Sequence, residues 1–300
     1  MYALEMVNVT KNYGKFKALD NLNLKVKKGQ IYGFLGKNGA GKTTTLKIIT
    51  GLIKNYQGSV KIFGEDLNSK NIFKYTGSLV ETPSFYSNLT VLENLFLLSQ
   101  YKNVEKSKIH KVMSYFDLKK YSKVKFSNLS LGNKQRVGLA NCLLHDPEII
   151  ILDEPTNGLD PEGINEIRNF IKKLSKDFGK TILISSHLLS EIQQIADFLS
   201  IIHDGQIKEE IETQKLISKS NSYLLKTNDL HKTSSILNDI KIKNFISENK
   251  KISVNSDEES ISNIIKILIE KNIKIYEFFK EENYLENHFL KIIRNNSIDL

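Results

Sequence analysis

Two short strings carry side chains with chemistry to offer. The first is Gly36-Lys37-Asn38-Gly39-Ala40-Gly41-Lys42-Thr43. Glycines at this spacing let consecutive backbone N–H groups wrap an anion with no Cβ in the way. The string follows the apolar run Ile31 to Leu35 and precedes the helical run Thr44 to Ile49. That is the strand–loop–helix setting a phosphate-binding loop needs, and the helix start adds a favourable dipole. Lys42 is then placed to reach the β- and γ-phosphates, and the Thr43 hydroxyl to ligate Mg²⁺. The second string, Ile149-Ile150-Ile151-Leu152-Asp153-Glu154-Pro155, is an apolar strand that ends in two carboxylates. Asp153 reads as a holder of Mg²⁺ through water, and Glu154 as the group that polarises an attacking water. Together these residues describe only a site for a nucleoside triphosphate with Mg²⁺ and for cleavage of its terminal phosphate.

Such a site needs a sheet whose strand ends present it. Strand-like runs occur at Leu4 to Val9, Leu22 to Val26, Ile31 to Leu35, Val60 to Phe63, Ile149 to Leu152, Thr181 to Ser185 and Leu199 to His203. The last three are short and mostly apolar, as strands buried on both faces are. Asp204-Gly205, between Ile201-Ile202-His203 and Gln206-Ile207, signals a hairpin. From about residue 85 to 146 apolar residues recur at helical spacing: Leu92, Leu95 and Phe96, then Ile109, Val112, Met113 and Phe116. The expectation is an α/β fold: a parallel sheet with an antiparallel β subdomain and a helical subdomain, over residues 1–211. Beyond residue 212 the composition shifts towards Lys, Asn and Ser. Two similar halves, each strand, helix and strand, predict a small C-terminal α+β domain over 212–300, with Tyr223-Leu224-Leu225-Lys226 leading the first half and Ile261 to Ile269 the helix of the second.

A third string narrows the class. Leu129-Ser130-Leu131-Gly132-Asn133-Lys134-Gln135-Arg136 lies just before the acidic strand. It resembles the signature of the ABC ATPases, usually written LSGGQ, and Ser130 suits the cap of a helix starting there. The resemblance covers residues 1 to about 210, with every expected motif in order, and so implies a P-loop ABC ATPase core. It implies that Tyr13, in Lys11-Asn12-Tyr13-Gly14, stacks on adenine, and that Gly36, Asn38, Gly39, Ala40, Gly41, Lys42, Thr43 and Thr44 hold the phosphates. It further implies that Ser130 and Gly132 cover ATP bound to a second copy of the chain. Gly158-Leu159-Asp160-Pro161 matches the dimer-interface loop, so Asp160 joins the nucleotide site. His187, after Thr181-Ile182-Leu183-Ile184-Ser185-Ser186, matches the histidine at the γ-phosphate. Catalysis would fall to Glu154, His187 and Lys42, and the metal to Thr43, Asp153 and Glu81.

The departures from the family pattern narrow it again. Lys37 stands where Pro is common, Leu131 replaces the first signature Gly, and Asn133 stands where Gln is usual. Glu81, in Leu79-Val80-Glu81-Thr82-Pro83, replaces the usual Gln of the loop that touches both Mg²⁺ and the membrane partner. With Tyr284-Leu285-Glu286-Asn287-His288-Phe289-Leu290 near the C-terminus, this combination looks like the ATPase subunits of bacitracin-resistance and lantibiotic-immunity exporters. The resemblance implies export of an antimicrobial peptide through a separate membrane permease, with the ATPase a homodimer on the inner face of the cell membrane. The alternatives are a soluble ABC ATPase acting on ribosomes or DNA, an exporter of another substrate, or a regulatory subunit without turnover. One set of motifs and no room for a coiled coil speak against the first, and Glu154 with His187 against the last.

Composition agrees with a globular, cytoplasmic chain. Of 300 residues, 40% are hydrophobic and 26% charged, and no stretch is long and apolar enough to span a bilayer. The start, Met1 to Val9, alternates like a strand and lacks the pattern of a signal peptide. The single cysteine, Cys142, excludes an internal disulfide and a Cys-rich metal site. The net charge of +9 comes from lysines scattered along the whole chain, which reads as coding bias and not as a nucleic-acid stripe.

Overall fold

The computed structural model describes residues 1–80, 85–219, 222–242, 244–246, 251–256, 258–280 and 289. Glu81 and, apart from Phe289, the string Tyr284 to Leu290 lie outside the described residues. The chain divides into two compact units, Met1–Ile211 and Glu212–Leu300.

The first unit opens with a long hairpin, β1 (Tyr2–Tyr13) and β2 (Phe16–Lys27), which turns at Gly14. Its strands outrun the apolar cores expected at Leu4 to Val9 and Leu22 to Val26. The extra length next to the turn is held by cross-strand pairing of exposed residues, Asn12 with Lys17 and Tyr13 with Phe16, and not by burial. After β3 (Ile31–Leu35) and α1 (Lys42–Ile49), β4 (Gln57–Ile62) and β5 (Glu65–Asp66) join the hairpin in a sheet of order β2-β1-β4-β5. Then α2 (Ser69–Tyr75) leads into β6 (Thr76–Leu79).

Three helices form the helical subdomain: α3 (Val91–Tyr101), α4 (Lys106–Tyr115) and α5 (Leu131–Leu143). Thr90 caps α3 through a reciprocal pair with Glu93. Ser130 caps α5 as expected, accepting from Asn133 N. The chain returns through β7 (Ile149–Asp153), α6 (Pro161–Lys176), β8 (Thr181–Ser186), α7 (Leu189–Ile192), β9 (Phe198–His203) and β10 (Gln206–Glu212). Asp204 and Gly205, at φ 47° and 70°, make the predicted two-residue turn between β9 and β10.

The second sheet has the order β10-β9-β3-β8-β7-β6, and β9, β3, β8, β7 and β6 are parallel. β3 and β8 are buried along their whole length. Phe34, Leu46, Ile48, Ile49, Ile149, Ile151 and Leu183 fill one core with the inner face of the hairpin sheet. The carboxyl ends of adjacent strands β3, β8 and β7 therefore open side by side, where an open parallel sheet places its ligands.

The second unit contains α8 (Thr213–Lys219), β11 (Ser222–Thr227), α9 (Leu230–Asp239), β12 (Asn244–Ile246), β13 (Ile252–Asn255), α10 (Glu258–Glu270) and β14 (Ile275–Lys280). The two strand–helix–strand halves interleave into one antiparallel sheet, β12-β13-β11-β14. This is a split βαβ arrangement, with a core of its own built from Leu225, Leu237, Ile252, Val254, Ile264 and Leu268.

Candidate functional site

The phosphate loop links β3 to α1, and its shape depends on two glycines. Gly41 precedes α1 at φ 109°, and a Cβ there would lie 2.8 Å from the Ala18 carbonyl oxygen. A Cβ on Gly36 would lie 2.6 Å from the carbonyl oxygen of Ile202. Any other residue type would push the loop off both neighbours. Lys42, the first residue of α1, is 5% exposed. Its Nζ donates to the Gly36 carbonyl at 2.7 Å and lies 3.2 Å from Glu154 Oε1. A buried ammonium needs such acceptors, and their position at the loop puts its charge where a phosphate would arrive.

The strand ends supply the remaining groups. Thr43 Oγ1 donates to Asp153 Oδ2 at 2.8 Å, so two of the three expected metal holders already face each other. Ser185, at the end of β8, donates to the other Asp153 oxygen and accepts from Glu154 N at 3.0 Å. Glu154 has φ 45°, a left-handed conformation that is uncommon for a residue with a side chain. The turn it makes leaves its carboxylate between two partners. Oε1 faces Lys42, and Oε2 lies 2.8 Å from His187 Nδ1. Lys42, Thr43, Asp153, Glu154 and His187 thus come together within one chain.

Beside them is a cavity of 340 Å³ lined by Tyr13, Phe16, Ala18, Lys37, Asn38, Gly39, Gly41, Lys42, Thr43, Thr44 and Glu154. Tyr13 and Phe16 pair across the hairpin turn and are 48% and 61% exposed. Two exposed rings at the mouth of a phosphate cradle offer a stacking surface for a base. Phe16 was not legible in advance, because only its place opposite Tyr13 gives it a role. Lys11 Nζ lies 4.9 Å from the Tyr13 ring centroid. Gly36 and Ala40 do not line the cavity. They shape the loop from behind, with Ala40 O accepting from Gly205 N at 3.0 Å.

Ser130, Gly132 and Asp160 are not brought to this cavity. They line a second one of 820 Å³, with Leu131, Asn133, Arg136, Gly158 and Leu159. Within one chain the Asp160 carboxylate caps α6, accepting from Gly163 N at 2.9 Å. Three of the expected nucleotide contacts therefore face outward from the chain that carries the phosphate loop.

A glycine loop after one strand, an Asp-Glu pair at the end of a strand two places away and a histidine just after the strand between are the layout of a P-loop nucleoside triphosphatase. Residues 19–157 match the family model described as ABC transporter. The chain is 41% identical to the bacitracin transport ATP-binding protein BcrA of Bacillus licheniformis, over 98% of each chain. It is 41% identical to the lantibiotic transport ATP-binding protein SrtF of Streptococcus pyogenes, over 68% of this chain and 88% of that one. Among solved structures, a dimeric bacterial ABC transporter cassette matches with a TM-score of 0.64 at 28% identity, over 70% of this chain and 98% of that one. A cassette in a post-hydrolysis state bound to ADP and Pi matches equally well, with a TM-score of 0.64. The chain belongs to the ABC transporter ATP-binding proteins. It is the ATP-binding and ATP-hydrolysing subunit of such a transporter, and among its described residues no helix is long and apolar enough to cross a membrane.

Proposed function

We propose that this subunit energises export of an envelope-active peptide antibiotic, of the bacitracin or lantibiotic type, through a separate membrane permease. The observation that carries this reading is the extent of the likeness to BcrA. It runs over 98% of the chain and so includes the part beyond residue 211, outside the ATPase core. In this reading residues 1–211 are the nucleotide-binding domain and 212–300 an accessory domain. The subunit sits on the inner face of the cell membrane, held there by the permease. Glu81 serves the metal and the permease contact.

The geometry of the site supports the following roles. The Lys42 ammonium and the loop N–H groups compensate the γ-phosphate charge. Tyr13 stacks on the adenine with Phe16 beside it. Glu154 Oε orients the attacking water, and His187, hydrogen-bonded to Glu154, positions the γ-phosphate. Mg²⁺ fits the Thr43 and Asp153 pair, since it takes one or two protein oxygens and completes its shell with phosphates and waters. When bound it supplies positive charge to the phosphate oxygens. The larger clusters of His, Cys, Asp or Glu that a protein-only cage would need are absent among the described residues. The outward-facing Ser130 and Gly132 complete the site of a second copy, so the working unit is a homodimer with ATP between its halves.

The test is a deletion strain of the source cell, challenged with a panel of bacitracin-like and lantibiotic peptides. Heightened sensitivity to at least one, restored by the wild-type gene and not by a Glu154→Gln version, is expected. Unchanged sensitivity across the panel would leave an ABC exporter of a different substrate.

A further inference from the structure

Glu191 is a buried carboxylate, at 8% exposure. It lies on α7, the short helix that follows His187. Burying an ionisable carboxyl is costly unless donors meet it, and the hydroxyls that meet this one come from two separate segments, one just after β7 and one at the end of β8. Thr156 Oγ1 donates to Glu191 Oε2 at 2.6 Å, and Ser186 Oγ lies 3.5 Å from the same oxygen. Both partners are buried as well, at 6% and 4% exposure.

The two segments are those that lead to the proposed hydrolytic pair. Thr156 follows Glu154-Pro155 directly, and its carbonyl accepts from Leu159 N at 3.2 Å. It therefore begins the turn that leads to Gly158 and Asp160. Ser186 precedes His187, and its Oγ accepts from Leu188 N at 3.0 Å on the other side of that histidine. A cavity of 150 Å³ is lined by Glu154, Thr156, His187 and Glu191 together.

We infer that Glu191 is a positioning residue for ATP hydrolysis, bracing the Glu154 turn against the His187 loop so that the 2.8 Å Glu154–His187 contact is held. It acts through Thr156 and Ser186, and it also fixes where the Gly158 to Asp160 turn starts. This inference rests on Glu154 and His187 being the hydrolytic pair.

The experiment measures steady-state ATP hydrolysis and nucleotide affinity for Glu191→Ala, Glu191→Gln, Thr156→Val and the double variant Thr156→Val/Glu191→Ala. Glu191→Ala is expected to lower kcat about tenfold or more while KM and nucleotide affinity stay within about twofold, because the phosphate loop is untouched. Glu191→Gln keeps an acceptor for Thr156 and should retain activity within about threefold of wild type. Thr156→Val removes the donor at nearly constant volume and should lower kcat as Glu191→Ala does. The double variant should be no worse than the worse single, since both break one brace. If Glu191→Ala does not fold, Thr156→Val and Glu191→Gln carry the test. The inference is overturned if Glu191→Ala keeps kcat within about twofold of wild type, if affinity falls in step with kcat, if Gln is no better than Ala, or if the two losses add. Glu154→Gln is assayed alongside. Wild-type turnover in that variant would overturn the reading of the pair itself. An inactive Glu154→Gln beside a normal Glu191→Ala would overturn only the brace.

Discussion

Replacing Lys42 with Ala removes the one cation buried inside the phosphate loop. In the free chain its Nζ is held 2.7 Å from Gly36 O, 3.3 Å from Lys37 O and 3.2 Å from Glu154 Oε1. The ammonium is therefore already desolvated before a phosphate arrives, so its attraction to phosphate is not offset by a further loss of water. Truncating one partner of a buried charge-assisted contact costs about 2–5 kcal/mol. At about 1.4 kcal/mol per tenfold, ATP should bind roughly 30-fold to several thousand-fold more weakly. Gly41 still starts α1, so the loop itself should survive. Calorimetric titration with ATP measures the loss, and thermal unfolding without nucleotide checks the fold. An affinity within about threefold of wild type, in a variant that unfolds at the same temperature, would refute the assignment of Lys42 to the phosphates.

Two further perturbations test the elements that hold the site. Gly41→Ala places a Cβ 2.8 Å from the Ala18 carbonyl oxygen, at a φ of 109°. It should destabilise the chain by about 1–3 kcal/mol and abolish nucleotide binding, and urea unfolding of a fully stable variant would contradict the loop geometry. His145 titrates with a pKa pushed down to about 4 by burial and then by the Lys102 ammonium. Its Nε2 lies 2.9 Å from Thr76 O and its Nδ1 3.4 Å from Lys102 Nζ. An ammonium can only donate, so the ring is neutral, with Nε2–H donating to Thr76 and Nδ1 accepting. The unfolded chain protonates this histidine near its ordinary value of about 6.5, above the folded value. Stability is thus fully present above about pH 6.5 and is lost progressively towards about pH 4. Urea unfolding of His145→Gln should show a shallower decline over that window than wild type, and parallel curves would contradict the buried neutral ring.

What could be read from the sequence follows how local each interaction is. The strand–loop–helix around Gly36 to Thr43 was legible because its glycines, its lysine and its flanking strand and helix are contiguous, and Ile31–Leu35 and the start of α1 stand where expected. Asp153 and Glu154 were legible because an apolar strand ending in two acids is itself a local signal. β6 was not, since Gly77 and Ser78 are poor strand formers. It exists through parallel pairing with β7 and through close approach to α5, where a Cβ on Gly77 would lie 2.2 Å from the Cys142 carbonyl oxygen. Ser185 and Glu191 went unread because each draws its role from a residue some thirty positions away, Asp153 and Thr156 respectively. The second unit was legible as two strand–helix–strand halves from its apolar spacing. Its interleaved strand order was not, because pairing across the halves leaves no trace in the local pattern.

The Glu154 carboxylate lies between Lys42 and His187 and is proposed to orient the attacking water. Glu154→Gln keeps the side-chain volume and removes the charge. Purified with ATP and Mg²⁺, the variant should bind ATP as well as wild type does, hydrolyse it at least about a hundredfold more slowly, and run at twice the monomer mass in light scattering. The stalled dimer is the expected signature, because Ser130 and Gly132 of each copy would then stay closed on intact ATP. Hydrolysis at the wild-type rate would contradict the account, and so would a variant that binds ATP normally and remains monomeric at every nucleotide concentration.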